Sequence, residues 1–389
     1  MGIQAIVGLP DDRFAMVMGE ATHSAHWNPQ FSNGLSSTSL FVGNAKGLYS
    51  FTVIRFNVSA ALPDSFRVDT LPPKIQFHRN RVWPDQPLGE LRFVMRECTT
   101  FWEEANLLPN SLPDYESFPV LDSALIFNAT DSLYFFEVPF DLWTRWAEGD
   151  TTTFGVLLEP RFEDYMVEWY SSEYVNVAYP EYPPALLVSG QIWRSADSLW
   201  VDSTLSIPAR HDAYLTKDRA ERQPERMFVT QGYAERTALF FPVDSLSRGF
   251  RKQIARAELH LFADRGHSAD FTFIAGQNIV FKDGFLNDSS WTSAAQDSAG
   301  FWNPEDFDAG YVSETAGAWD STNTRFTLNV TGPISNWVGN PVTNGGLQVL
   351  STSENSFLSR VVFHSHLTED TLNPDLRPRL YIWYTESEY

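Results

Sequence analysis

The sequence predicts an all-β protein made of two tandem antiparallel β-sandwiches of jelly-roll type. Three observations carry that reading. Apolar residues recur with period two, Gly, Pro and Asn turns punctuate the runs, and one series of segments occurs twice in the same order.

The periodicity is clear along the chain. In Phe51–Val58, Phe51, Val53, Arg55 and Asn57 fall on one face, and Thr52, Ile54, Phe56 and Val58 on the other. Lys74–His78, Glu258–Phe262, Phe271–Ile274 and Leu380–Tyr384 alternate in the same way, as strands with one buried face do. Turn chemistry separates them at Ser32-Asn33-Gly34, Gly43-Asn44, Leu62-Pro63-Asp64, Leu71-Pro72-Pro73, Lys282-Asp283-Gly284 and Asn344-Gly345-Gly346. Helix signals are few. The best is Phe140–Trp146, where Asp141 is placed to cap a short turn that brings Leu142 and Trp146 together at i, i+4.

The duplication sets the domain count. Trp146 and Trp337 are 191 residues apart, as are Gly155 and Gly346. Glu168–Ser171 answers Val362–Ser365, and Pro184–Val188 answers Pro378–Ile382, both at an offset of 194. Upstream, Val53–Val58 matches Ala238–Val243, and Ile75–Phe77 matches Leu259–Leu261. The expected domains are residues 1–190 and 191–389, with the boundary near Ser189-Gly190. A Trp recurring at fixed register ahead of a Gly and a core strand reads as a buried plug, not as a ligand platform.

Composition narrows function without naming one. With 28 Lys+Arg against 49 Asp+Glu, the formal charge of −21 would repel nucleic-acid phosphates and anionic membrane surfaces, and both halves share the acidic balance. The single cysteine, Cys98, forbids an intrachain disulfide and Cys-based metal sites. No run approaches the 18 apolar residues of a membrane span. The segment Met1–Pro10 has no basic n-region and is too short for an export peptide.

Several of these motifs resemble one family. Ser32-Asn33-Gly34, Leu40–Gly43, the Arg55-Phe56 strand, Trp146-x-x-Gly149 with Phe154–Leu158, Ser171-Ser172-Glu173 and the closing Pro-x-Leu strand are similar to DNRLRE-type domains, also called disaggregatase-related repeats. Arg377–Tyr384 closes the second copy much as that family closes. The second copy departs from the pattern at Ala213–Gly232, which lacks the Asn-Gly turn, and at Ser365-His366-Leu367, which replaces Ser-Ser-Glu. The resemblance implies a jelly-roll-like sandwich in an extracellular or cell-surface protein, some relatives of which carry carbohydrate-binding modules. On that reading an export segment has been removed. The resemblance supplies no catalytic residue.

The expected role is therefore non-catalytic binding of a polysaccharide or cell-surface glycan, or adhesion. A sugar ring offers an apolar face to Trp or Tyr while its hydroxyls seek Asp, Asn and Arg. Aromatic-polar clusters occur at His23, His26 and Trp27, at Phe101–Glu104, at Tyr174, Tyr179 and Tyr182, and at Trp291, Phe301-Trp302 and Trp319. The ordinary reading is that such rings pin long loops to the sandwich. If a glycan site exists among them, Trp102, Glu103, Trp302 and Trp291 are its expected residues.

Other constellations are weaker. Glu305, Asp306 and Asp308 concentrate oxygen ligands of the kind Ca2+ takes, in a stretch whose plainer reading is a solvated acidic turn, so no cofactor is required. His364 and His366 would share one strand face, with no third metal ligand to name. No hydrolase elbow, phosphate loop, dinucleotide fingerprint or zinc-protease motif occurs, and no carboxylate pair stands out, which leaves a polysaccharide-degrading enzyme as the remotest reading. Closer is a structural role. Ile3, Ala5, Val7 and Leu9 alternate in an extended segment that either opens the first sandwich or adds to a neighbouring subunit to build a filament or sheath.

Overall fold

The computed structural model describes residues 4–6, 15–27, 37–84, 89–104, 107, 111–112, 114–196, 198–219, 223, 225–232, 235–243, 246, 251–270, 279–283, 317–322, 324–352, 358–368 and 376–387. Strands dominate. The chain opens with β1 (Gln4–Ile6), β2 (Ala15–Glu20) and β3 (His23–Trp27). There follow β4 (Ser39–Ala45), β5 (Leu48–Phe56), β6 (Phe66–Val68), β7 (Lys74–Trp83), β8 (Glu90–Glu97), β9 (Val120–Asn128) and β10 (Leu133–Glu137). A helix, Phe140–Ala147, leads to β11 (Val156–Pro160), β12 (Tyr165–Tyr170), β13 (Ala185–Arg194) and the long β14 (Leu199–Asp218). The remainder comprises β15 (Arg226–Gln231), β16 (Arg236–Phe240), β17 (Arg251–Phe262), β18 (Ala269–Asp270), β19 (Ile279–Asp283), β20 (Ala318–Trp319) and β21 (Arg325–Asn329). The helix Thr331–Gly339 then precedes β22 (Leu347–Ser351), β23 (Ser359–His364) and β24 (Arg379–Ser387).

Among the described residues all the strand pairings are antiparallel, and they recur in two compact units. In the first sandwich, residues 31–220, β7 pairs with β10 and β13, β11 lies between β5 and β8, and β12 pairs with β4. In the second, residues 1–30, 221–354 and 358–389, β17 pairs with β21 and β24, β22 lies between β16 and β19, and β23 pairs with β15. Strand by strand, the second pattern repeats the first.

The units nevertheless divide elsewhere than at 190. Ser189-Gly190 lies inside β13, which turns back into β14 as a hairpin with Leu187 opposite Ser206, so the first sandwich runs on to residue 220. Strands β1, β2 and β3, residues 4–6 and 15–27, belong to the second sandwich and do not open the first. There β1 pairs with β2, Ala5 standing opposite Val17, and β2 pairs with β24.

Each sandwich has its own core. In the first, Trp169 is fully buried against Phe77, Phe93 and Phe136, with centroids 4.5, 5.7 and 5.9 Å away. In the second, Trp337 is fully buried with Leu259, Leu261, Phe326, Leu328, Leu380 and Ile382. Trp146 is also buried, so both repeated tryptophans are plugs, as their register implies.

Local details differ from the sequence reading for physical reasons. Strand β5 is buried on both faces, because Trp102, Leu107, Leu112, Tyr115 and Phe118 cover Phe51 and Val53. The helix at 140 starts two residues earlier than expected, with Pro139 at its N-cap, and Asp141 sits in the first turn, where its charge still suits the helix dipole. The β4–β5 turn falls at Lys46-Gly47, both with positive φ, as a tight two-residue hairpin requires. Gly43 instead lies within β4, where a Cβ would run into the Tyr165 carbonyl. Phe271–Ile274 lies outside the described residues.

Candidate functional site

The second sandwich carries a recess of about 520 Å³, lined by Met16, Arg256, Glu258, His260, Arg325, Thr327, Tyr381 and Trp383. It is the outward face of four neighbouring strands. Along β24, Leu380, Ile382 and Tyr384 enter the core, so the period of two turns Tyr381 and Trp383 the other way. Along β17, Leu259 and Leu261 are buried, which puts Glu258 and His260 on the recess side. Register then brings the side chains together. Trp383 stands opposite Met16 on β2 and Arg256 on β17, Tyr381 opposite Glu258, and His260 opposite Thr327. A slip in register between Ile254 and Arg256 sets Arg256 beside Trp383.

The geometry is aromatic with a polar frame. The rings of Tyr381 and Trp383 lie nearly parallel, at 26° and 6.3 Å between centroids. The Arg256 guanidinium is 5.5 Å from the Trp383 ring, and His260 packs on Tyr381 at 4.5 Å. Glu258 accepts hydrogen bonds from both Arg256 and His260, the latter at 3.0 Å. Burial pulls the His260 pKa below the usual imidazole value, against the opposing pull of Glu258. A neutral ring that donates through Nε2 leaves Nδ1 as an acceptor. The recess can therefore offer two aromatic faces, a carboxylate, a cation and an imidazole to one ligand. Among the described residues that line it, Glu258 is the carboxylate.

The fold alone does not demand this chemistry. The equivalent face of the first sandwich carries Leu187 and Ser189 on β13 and Lys74 and Gln76 on β7. The duplicated strands keep their buried residues and differ on the open side.

The residues singled out from sequence fare differently. Trp102 is only 3% exposed, and its indole N–H donates to the Phe154 carbonyl at 2.9 Å. It pins the segment over β5 and has no free face for a sugar, which corrects its assignment as a platform. Glu103 is exposed beside it. Trp291, Trp302, Glu305, Asp306 and Asp308 lie outside the described residues, as do Ile3, Val7 and Leu9. Tyr182 packs against Tyr179 at 4.8 Å, Tyr170 at 4.8 Å and His78 at 4.9 Å, so these rings cover one another and hold the Pro-rich loop. Strand β23 ends at His364, and His366 turns to Ser24. Among the described residues, no group of three or more His, Cys, Asp or Glu is arranged to hold a metal, and no helix is long and apolar enough to cross a membrane.

A second polar group lies in the first sandwich. Asp212 on β14 is 1% exposed and accepts from the Ser172 amide at 2.8 Å, and His211 Nδ1 is 3.6 Å from Glu104. Burial and the neighbouring Glu173 carboxylate raise the Glu104 pKa to about 7, and burial raises that of Asp212 as well.

The recess was legible in principle. Glu258–Phe262 and Leu380–Tyr384 are alternating strands in the sequence, and their non-core positions hold its aromatic, acidic and imidazole groups. What the sequence does not give is that the two strands are neighbours.

No described protein family matches the chain, and no curated protein matches it. Among solved structures, "Structure of the Macrobrachium rosenbergii Nodavirus" aligns at 9% identity over 98% of this chain and 92% of that one. Its TM-score is 0.13, a likeness too slight to carry an argument.

Proposed function

We propose that this protein is a non-catalytic, exported surface protein that binds polysaccharide or cell-surface glycan through the recess of the second sandwich. The observation that carries the reading is the pair Tyr381 and Trp383, side by side on an open sheet face and framed by Arg256, Glu258 and His260. Parallel aromatic rings suit the apolar faces of sugar units, and the polar frame suits their hydroxyls. The resemblance to DNRLRE-type domains supports an exported surface protein and does not name the glycan.

A glycan array followed by calorimetry on the best ligand tests this. Trp383→Ala is expected to weaken binding about tenfold or more, the equivalent of about 1.4 kcal/mol, with unchanged melting. Absence of any glycan ligand, or full binding by both Trp383→Ala and Tyr381→Ala, would overturn the proposal.

A further inference from the structure

The repeat in the sequence and the compact units of the fold are out of phase by one strand. Ala21-Thr22-His23-Ser24-Ala25 and Ala209-Arg210-His211-Asp212-Ala213 share the pattern Ala-x-His-x-Ala, 188 residues apart. The two segments occupy the same place in their sandwiches. β14 pairs first with β13, Pro208 opposite Ala185, and then with β5, Ala213 opposite Val53. β2 pairs with β24, Glu20 opposite Arg379, and β3 pairs with β16, Ala25 opposite Ala238. At the crossover the Ala209 amide donates to the Pro184 carbonyl at 3.0 Å, and the Ala21 amide to the Pro378 carbonyl at 3.4 Å.

The polar fastening is equivalent too. Asp212 accepts from the Ser172 amide, and Ser24 Oγ lies 2.7 Å from His366 Nδ1, with Ser172 and His366 at matching positions of the repeat. Residues 15–27 are thus the opening strand of the first copy, and residues 203–215 that of the second. Yet each completes the other copy's sandwich. The second copy hands its opening strand back to the copy that precedes it.

Applied to the first copy, the same rule sends residues 15–27 to the second sandwich of a preceding chain. We propose that this chain associates with further copies of itself by that handover, residues 15–27 of one molecule completing the second sandwich of another. A head-to-tail exchange either closes into a ring or runs on as an open assembly, and the single chain is the smallest ring. The contacts are the same within or between chains: the ladders to β24 and β16 and the burial of Val17 and Ala21. Concentration therefore decides between them. The segment that assembles is 15–27, and the interface is a completed sandwich.

Met18 and Tyr381 are register partners on β2 and β24 and supply the test. The full-length chain with Met18→Cys and Tyr381→Cys, its native Cys98 being buried, is concentrated, oxidised and run on a non-reducing gel. The unsubstituted chain is followed in parallel by light scattering. Expected are a mass of two chains or more that grows with concentration and a ladder of disulfide-linked species. Mixed single variants are expected to give a cross-linked heterodimer. A chain that stays at one-chain mass at every concentration overturns the proposal. So do oligomers in which this disulfide closes only within a chain or does not form.

Discussion

The hydroxyl of Ser24 stands 2.7 Å from Nδ1 of His366, tying β3 to the turn that follows β23. Asp212 and Ser172 make the matching contact in the other sandwich at 2.8 Å. A strand that comes from another copy of the repeat is fastened at the same point both times, by different chemistry.

Ser24→Ala is expected to cost about 1 kcal/mol, the net worth of one hydrogen bond. The loss concentrates where the strand is held, so amide exchange in β3 accelerates more than in β17. Hydrogen exchange read residue by residue checks this, and uniform acceleration counts against a local fastening.

Trp337→Ala is expected to destabilise the second sandwich by ~3–5 kcal/mol, because the ring is fully buried among residues of one core. Urea unfolding is the measurement. Melting like that of the parent would contradict the plug assignment.

Arg96→Met is expected to cost about 2–3 kcal/mol, since it leaves the buried Glu159 carboxylate only the Tyr49 hydroxyl and the Arg161 guanidinium, 3.4 Å away. Glu159 accepts from Arg96 Nε at 2.9 Å and from the Tyr49 hydroxyl at 2.9 Å, and Arg96 also donates to the carbonyls of Glu116 and Phe118. Replacing both partners, Arg96→Met with Glu159→Leu, should recover much of the loss in a double-mutant cycle.

Stability of the first sandwich should fall as the pH rises from about 4.5 to about 7. Glu104 keeps its proton to about 7 when folded, through burial first and the Glu173 carboxylate second, and only to its ordinary 4.5 when unfolded. The folded state thus binds the proton more tightly, so this contribution is complete below the unfolded value and gone above the folded one. Glu104→Gln should flatten the melting temperature across that window relative to the parent.

Sequence alone determined the fold class, the duplication and the buried plugs. Those features rest on local alternation and on segments recurring at a fixed offset, which need no knowledge of partners. Tyr381 and Trp383 were visible as the non-core positions of a strand. That Arg256, Glu258 and His260 face them follows only from the register of β17 against β24. Trp102 shows the reverse case: an aromatic in a polar loop reads as a platform until its indole is found spent on Phe154. Tertiary structure also decided which copy completes which sandwich. The alternation of residues 15–27 does not itself name a partner strand; β2 pairs with β24, more than 350 residues distant, which no local pattern encodes.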